Sequence, residues 1–384
     1  MKISIVIPCF NGENRIAETI DSALASFKRT QCEIVCVDDC STDGTLQVLE
    51  GLKAKHGDVI QVVHHEVNGG ANESRRTGSL AATGDHIVFL DNDDRLVAES
   101  IDKLADVLEK KPVDILFYGT KYLEEPDVEN NETLKEKKRG FDATIQGYKL
   151  ATSKKRIMDA IFSPAALECA PIVWAKVYTK EFVVDGFSVI PKGWCLAEED
   201  NCELLAFLAA SKTVSYCDII GYEYRFDSGV TARAIDARES IRCLRNNLFV
   251  ARFGVEFKKR FADNPEYMRY VDVVCGPWAC YWYECIINWL TQEYKDREDL
   301  VLRSTLGDPD LKWSALLFYQ REQQARKRMA LLDSIKSNEW LLRPFIKLLL
   351  SAIGLGAKLS RDKSNKERLL GLKSDVKELL LPKR

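Results

Sequence analysis

Hydrophobic and polar positions alternate in blocks along the first 120 residues. Short runs rich in Val and Ile recur at Ile3–Ile7, Glu33–Val37, Val59–His64, His86–Leu90 and Asp114–Tyr118. They are apolar nearly throughout, as parallel strands buried on both faces are. Between them the apolar period lengthens. Ile16, Ile20, Ala23, Leu24 and Phe27 share one helical face, and so do Ile101, Leu104, Ala105 and Leu108, which Pro112 ends. Ser41, Thr42 and Asp43 offer N-caps for a helix carrying Leu46, Leu49 and Leu52. A further helix ending at Ala82 follows Asn68-Gly69-Gly70. Strand–helix alternation of this kind predicts an α/β fold with a doubly wound, mostly parallel sheet. Ligands of such sheets bind at the carboxyl ends of the strands, here Pro8–Glu13, Asp38-Asp39 and Asp91–Asp94.

Beyond residue 120 the pattern weakens. Residues 121–140 are polar and charged and read as a mobile loop or linker. Short mixed elements follow to about residue 230, and the remainder is helical in pattern. The expected division is a strand-and-helix half at 1–120, a mixed half at 121–232 and a helical region at 233–384. Arg343, Lys347, Ser351, Gly354 and Lys358 form one polar stripe on an otherwise apolar helix, followed by a basic tail. A helix lying in a membrane interface has this form, as does one packed on the protein or on a second subunit of a homo-oligomer. Trp278, Tyr281, Trp282, Tyr283, Trp289 and Tyr294 suit helix-core packing more than a glycan platform.

Composition narrows the class. In 384 residues, 46% hydrophobic and 29% charged positions describe a globular chain of two or three domains, and a net charge of −3 gives no reason to expect nucleic acid. The 12 cysteines include no C-x-x-C pair; those in apolar runs, such as Cys9, Cys36 and Cys275, behave as small hydrophobes in a reducing cytosol. No basic leader precedes the first strand, and no uncharged stretch reaches the roughly 18 residues that span a bilayer. Cytoplasmic placement is expected, peripheral on the inner face of the membrane. None of His56, His64, His65 and His86 adjoins a plausible nucleophile; His64-His65 closes a strand and reads as structural.

The candidate chemistry is acidic. Asp91-Asn92-Asp93-Asp94 ends a hydrophobic strand in three carboxylates. Such a cluster is either a solvated turn or the seat of a cation, and Mg²⁺ typically takes one or two carboxylates plus substrate phosphates. Asp38-Asp39 could accept from an imide or a ribose hydroxyl, or Asp39 could only cap a helix. Gly69-Gly70 frees the backbone to approach a ligand, and Arg75 and Arg76 can meet a phosphate or a base edge. Glu198-Glu199-Asp200 precedes a helix-like run, either as an acidic first turn or as the source of a general base.

Four ordered motifs, Ile-Val-Ile-Pro-Cys-Phe-Asn-Gly-Glu, Val-Asp-Asp-Cys-Ser-Thr-Asp-Gly-Thr, Asn-Gly-Gly…Arg75 and Phe-Leu-Asp-Asn-Asp-Asp, resemble the family 2 inverting glycosyltransferases of the A-type fold, of the bacterial surface-polysaccharide kind. The resemblance implies a nucleotide-sugar donor bound by the half at 1–120, a glycan or lipid-linked acceptor bound by the half at 121–232, and Mn²⁺ or Mg²⁺. It implies Pro8, Phe10 and Glu13 around the base, Asp39 on uracil, Arg75 at the donor, Asp91 near the ribose, Asp93 on the metal and Asp200 as base, with Glu199 the alternative. Arg76 stands where the family often has Asn, which would add a positive charge near the diphosphate. Trp174–Tyr178 resembles a segment bordering the acceptor cleft, and Tyr222–Ser228 one that approaches the diphosphate. A sugar nucleotidyltransferase would want a Gly-rich basic loop after the first strand, and a dehydrogenase G-x-G-x-x-G; neither is present. A nucleotide-sugar or glycan-binding protein with a relict site is the non-enzymatic alternative.

Overall fold

The structure is a computed structural model. It describes residues 1–124, 132–149, 152–162, 170–193, 195, 198–226, 249–250 and 252–275. Met1–Glu293 form one compact unit and Tyr294–Arg384 a second. The aromatic run from Trp278, the amphipathic helix at 340–359 and the basic tail all lie outside the described residues.

Eight strands form one sheet in the order β3-β2-β1-β4-β7-β6-β8-β5. The strands are β1 (Lys2–Cys9), β2 (Gln31–Asp38), β3 (Ile60–His64), β4 (His86–Phe89), β5 (Arg95–Leu96), β6 (Ile115–Tyr122), β7 (Lys176–Thr179) and β8 (Val214–Tyr224). The β3-β2-β1-β4 half is wholly parallel. Antiparallel β7 then inserts between β4 and β6, while β6 and β8 run parallel. The sheet is therefore mixed but mostly parallel, as the strand–helix alternation predicts. The five strands expected from apolar runs are all present, whereas β5, β7 and β8 are too short or too polar to announce themselves.

The first-half strands are hydrophobic because helices cover both faces. Ile3, Ile5, Val6, Ile34, Val35, Ile87 and Val88 are fully buried. The flanking helices are α1 (Ile16–Ala25), α2 (Thr45–His56), α3 (Gly70–Ala81) and α4 (Ser100–Lys110). Gly78 lets α3 lie close on the sheet, since a Cβ there would overlap Val6 Cγ1 and press on Val37 Cγ2 at 3.2 Å. Of Ser41-Thr42-Asp43, it is Asp43 that holds the start of α2, its Oδ1 accepting from Thr45 N at 3.0 Å and from the Thr45 hydroxyl; Gly44 is the N-cap residue.

The expected linker at 121–140 is corrected in its second part. Helix α5 begins at Glu132 and runs to Lys149. Its charged surface hides a helical stripe, in which Thr144 and Tyr148 are buried and Leu134 and Phe141 half-buried. Helices α6 (Lys154–Phe162), α7 (Lys180–Phe187) and α8 (Glu199–Ala210) complete the second half. Two further helical stretches cover 252–260 and 265–275.

Candidate active site

The carboxyl ends of β1, β2 and β4, the start of α3 and the start of α8 converge on one acidic locus. Arg75 is its hub. Helix α3 presents this arginine 3% exposed, and its guanidinium meets three carboxylates. Nη1 donates to Asp200 Oδ1 at 2.7 Å and to Glu203 Oε2 at 3.0 Å, and Nη2 donates to Asp91 Oδ1 at 3.3 Å. One cation thus links the acidic turn after β4 to the first turn of α8, residues far apart in sequence. Glu203, one turn further along α8, is fully buried and read in sequence only as part of an apolar helix. An isolated Glu inside Glu203-Leu-Leu-Ala-Phe-Leu was the available signal.

The excess of negative charge shows in the titration of these groups. Burial, reinforced by Asp200 and Asp93, outweighs Arg75 and raises Asp91 to about 6. Burial pushes Glu199 up to about 8, with Asp200 beside it adding to the shift. Glu203 also rises to about 8, because burial outweighs its bond to Arg75. A site that strains to hold its own carboxylates ionised is suited to a cationic ligand.

The acidic turn itself is built rigidly. Tyr222 on β8 accepts a hydrogen bond from Asp91 N at 3.3 Å and donates to Asp94 Oδ2 at 2.7 Å. Arg225 N donates to Asp94 Oδ1 at 2.6 Å, and Arg225 Nε donates to the Asp93 carbonyl at 3.0 Å. Asp94, 1% exposed, therefore anchors the turn, and burial raises its carboxyl well above the ordinary range. Arg225 fastens the turn through that carbonyl and Glu18, at 3.0 Å. Asp227 and Ser228 lie outside the described residues. Asp93 keeps its side chain 21% exposed, with Oδ2 3.6 Å from Arg15 Nη1. Of the three aspartates, Asp91 and Asp93 keep their side chains partly exposed and Asp94 is buried.

The other end of the site is stitched together by backbone. After β1, Asn11 takes φ 50°, and Gly12 N donates to Thr45 Oγ1 at 2.8 Å. Glu13 Oε2 accepts from Gly44 N at 2.8 Å, so Glu13 clasps the loop after β2. Pro8 lies in β1 opposite Val37, and Phe10, directly after β1, stands 45% exposed. Asp39 is 3% exposed and accepts from Gly69 N (2.9 Å), Gly70 N (2.7 Å) and the His65 ring (2.8 Å). It holds the start of α3, not that of α2. A carboxylate offers about four acceptor positions, so one remains. Asp38 meets His64 Nδ1 at 2.7 Å. Both histidines are thus structural partners of the aspartate pair, as their place at the strand end suggested.

Arg76 does not add the positive charge expected at the diphosphate. Its guanidinium turns to the end of α7, donating to the carbonyls of Phe187 (2.6 Å), Ile190 (2.8 Å) and Pro191 (3.0 Å). Exposed helix-end carbonyls attract a cation, and neighbouring positions on α3 face different directions. Trp174 is 4% exposed, stacked on Tyr222 at 4.5 Å and on Tyr224 at 5.2 Å. Phe141 of α5 stacks on Tyr224 at 4.5 Å. This ladder buttresses the Tyr222 hydroxyl under the acidic turn. Lys176 is fully buried, donating to the carbonyls of Ile172 (2.6 Å) and Trp174 (3.1 Å) beneath the Phe117 and Tyr148 rings. Burial lowers its ammonium well below the usual range.

Residues 4–169 match the family model described as glycosyl transferase family 2. This segment is similar to that family. The poly(ribitol-phosphate) beta-N-acetylglucosaminyltransferase TarS of Staphylococcus aureus is 35% identical over 123 residues, 32% of this chain and 21% of that protein. A poly(ribitol-phosphate) beta-glucosyltransferase of Bacillus spizizenii is 38% identical over 102 residues, 26% of this chain and 16% of that protein. The chain thus spans about a fifth of the length of these curated relatives. A crystal structure of S. aureus TarS 1–349 in complex with UDP-GlcNAc shares the fold, with a TM-score of 0.52 at 21% identity over 73% of this chain and 72% of that one. The match runs from β1 through the acidic turn to residue 169, while Asp200 and Glu203 lie beyond it.

Among the described residues no group of three or more His, Cys, Asp and Glu side chains could by itself enclose a metal ion. Asp93, with hard carboxylate oxygens and partial exposure, does fit an Mg²⁺- or Mn²⁺-type ion that takes its remaining ligands from a diphosphate. Among the described residues no helix is long and apolar enough to cross a membrane.

Proposed function

We propose that the chain is an inverting, metal-dependent glycosyltransferase. It would move a sugar from a nucleotide sugar, UDP-linked in the first instance, to a hydroxyl of a glycan or lipid-linked glycan in bacterial surface-polysaccharide synthesis. The observation that carries this reading is the Arg75 bridge, which places Asp200 against Asp91 at the end of β4. Relatives named as N-acetylglucosaminyl- and glucosyltransferases support it.

In this reading Asp39 offers its last acceptor position to the imide of the base, beside Pro8 and the exposed ring of Phe10. Asp91 faces the ribose. Asp93 would hold Mg²⁺ or Mn²⁺, which when bound neutralises charge on the departing diphosphate. Asp200 takes the proton of the acceptor hydroxyl. The new C–O bond forms at the anomeric carbon as its bond to the diphosphate oxygen breaks, and that electron pair leaves with the nucleotide. Glu199, raised to about 8, has the basicity for the same task, and in sequence it is adjacent to Asp200.

The donor is tested by a thermal-shift panel of UDP-, GDP- and dTDP-sugars with Mn²⁺, because a ligand of the folded state raises its melting temperature. A shift with UDP-sugars that vanishes in EDTA is expected. Shifts with none of the three, or a shift indifferent to metal, contradict the proposal.

A further inference from the structure

The base proposed above does not stand alone, and resting on that reading we propose that Glu203 is its positioning residue. Asp200 Oδ1 and Glu203 Oε2 share a single donor, Arg75 Nη1, at 2.7 and 3.0 Å. Asp200 and Glu203 are three residues apart on α8, so they occupy one face of the helix. A guanidinium is a planar fork, and fixing one nitrogen between two oxygens fixes the plane. Glu203 is fully buried in the helix core, while Asp200 keeps 28% of its side chain exposed. The buried carboxyl therefore acts as the fixed end and the exposed one as the working end. Without Glu203, Arg75 could rotate about its remaining bonds and Asp200 would lose its orientation toward the acceptor.

The surroundings agree with this division. Glu203 Oε1 is buried without a partner among the described residues, and so is Arg75 Nε. The groups facing Glu203 are Arg75 and Arg76 from α3, Tyr178 from β7, and Glu199, Asp200 and Cys202 on its own helix. Burial favours the protonated form of Glu203 near neutrality. A neutral Glu203 still accepts from Arg75 through Oε2, and it leaves the arginine's charge to Asp200 and Asp91. Glutamine can do the same; leucine fills the volume and accepts nothing.

The test compares Glu203→Gln and Glu203→Leu in hydrolysis of UDP-N-acetylglucosamine with Mn²⁺, with UDP binding measured by calorimetry. Glu203→Gln is expected to stay within about twofold of wild type, and Glu203→Leu to lose at least about tenfold in kcat with donor KM and UDP affinity unchanged. A leucine variant with full kcat, or two variants equally impaired with KM rising in step, overturns the proposal. A thermal double-mutant cycle of Asp200→Asn and Glu203→Leu needs no turnover: coupled shifts are expected, and additive shifts overturn it. Wild type that binds no UDP removes the donor reading instead, and the cycle then decides the positioning role by itself.

Discussion

Arg75 explains most of what individual residues do here, and it was only half legible in the sequence. Its place after Asn68-Gly69-Gly70 marked it as functional, yet nothing local revealed that its guanidinium faces Asp91, Asp200 and Glu203 together. Those pairings span 16, 125 and 128 positions, beyond any periodicity argument. Asp200→Asn is expected to leave UDP affinity within about twofold and to lower transfer by roughly 10²–10⁴, the range typical of a general base. Calorimetry and initial rates check it; normal transfer by this variant moves the role to Glu199. Glu203 also predicts a pH effect on stability. Its folded value of about 8 lies above the ordinary carboxyl value, so its stabilising proton is fully held below about 4.5 and lost as pH rises toward 8. The melting temperature of Glu203→Gln relative to wild type should accordingly climb between pH 5 and 8. Glu33 runs the other way. Burial opposes its ionisation, but Lys2, Ser4 and Thr83 prevail and hold it at about 2, so its contribution is present above about 4.5 and lost as pH falls toward 2. Glu33→Gln should cost melting temperature at pH 7 and progressively less toward pH 2.

Elements were read well where burial is two-sided and poorly where it is not. The apolar strands β1 to β4 stand out because helices cover both faces. Helix α5 was hidden because its charged residues outnumber its buried ones, and β7 because four residues cannot display a period. Close packing of α3 depends on Gly78. Gly78→Ala is expected to destabilise by about 1–3 kcal/mol, as overpacking does, with the melting temperature as readout. The aromatic ladder from Phe141 through Tyr224 and Trp174 to Tyr222 ties α5 and β8 to the acidic turn. Trp174→Ala should cost about 3–5 kcal/mol, and should weaken nucleotide binding through Tyr222 even where the protein remains folded.

For the molecule as a whole, the sheet divides its labour. The parallel half carries the aspartate pair and the acidic turn, and the mixed half brings the first turn of α8 against them. The family match covers residues 4–169, so the expected base lies past its end and is joined to that segment through Arg75. The motifs made the donor side legible as a set of ordered strand ends. The base side rests on tertiary pairing across the sheet, which composition and spacing do not encode. The central claim is that Asp93 commits this site to metal-assisted departure of a nucleotide diphosphate. Its most direct test is nucleotide release from UDP-N-acetylglucosamine by wild type and Asp93→Ala, each with Mn²⁺ and with EDTA. Slow UDP release by wild type in Mn²⁺, lost both in EDTA and in Asp93→Ala, is the expected result; release that persists in Asp93→Ala, or is indifferent to EDTA, would contradict it.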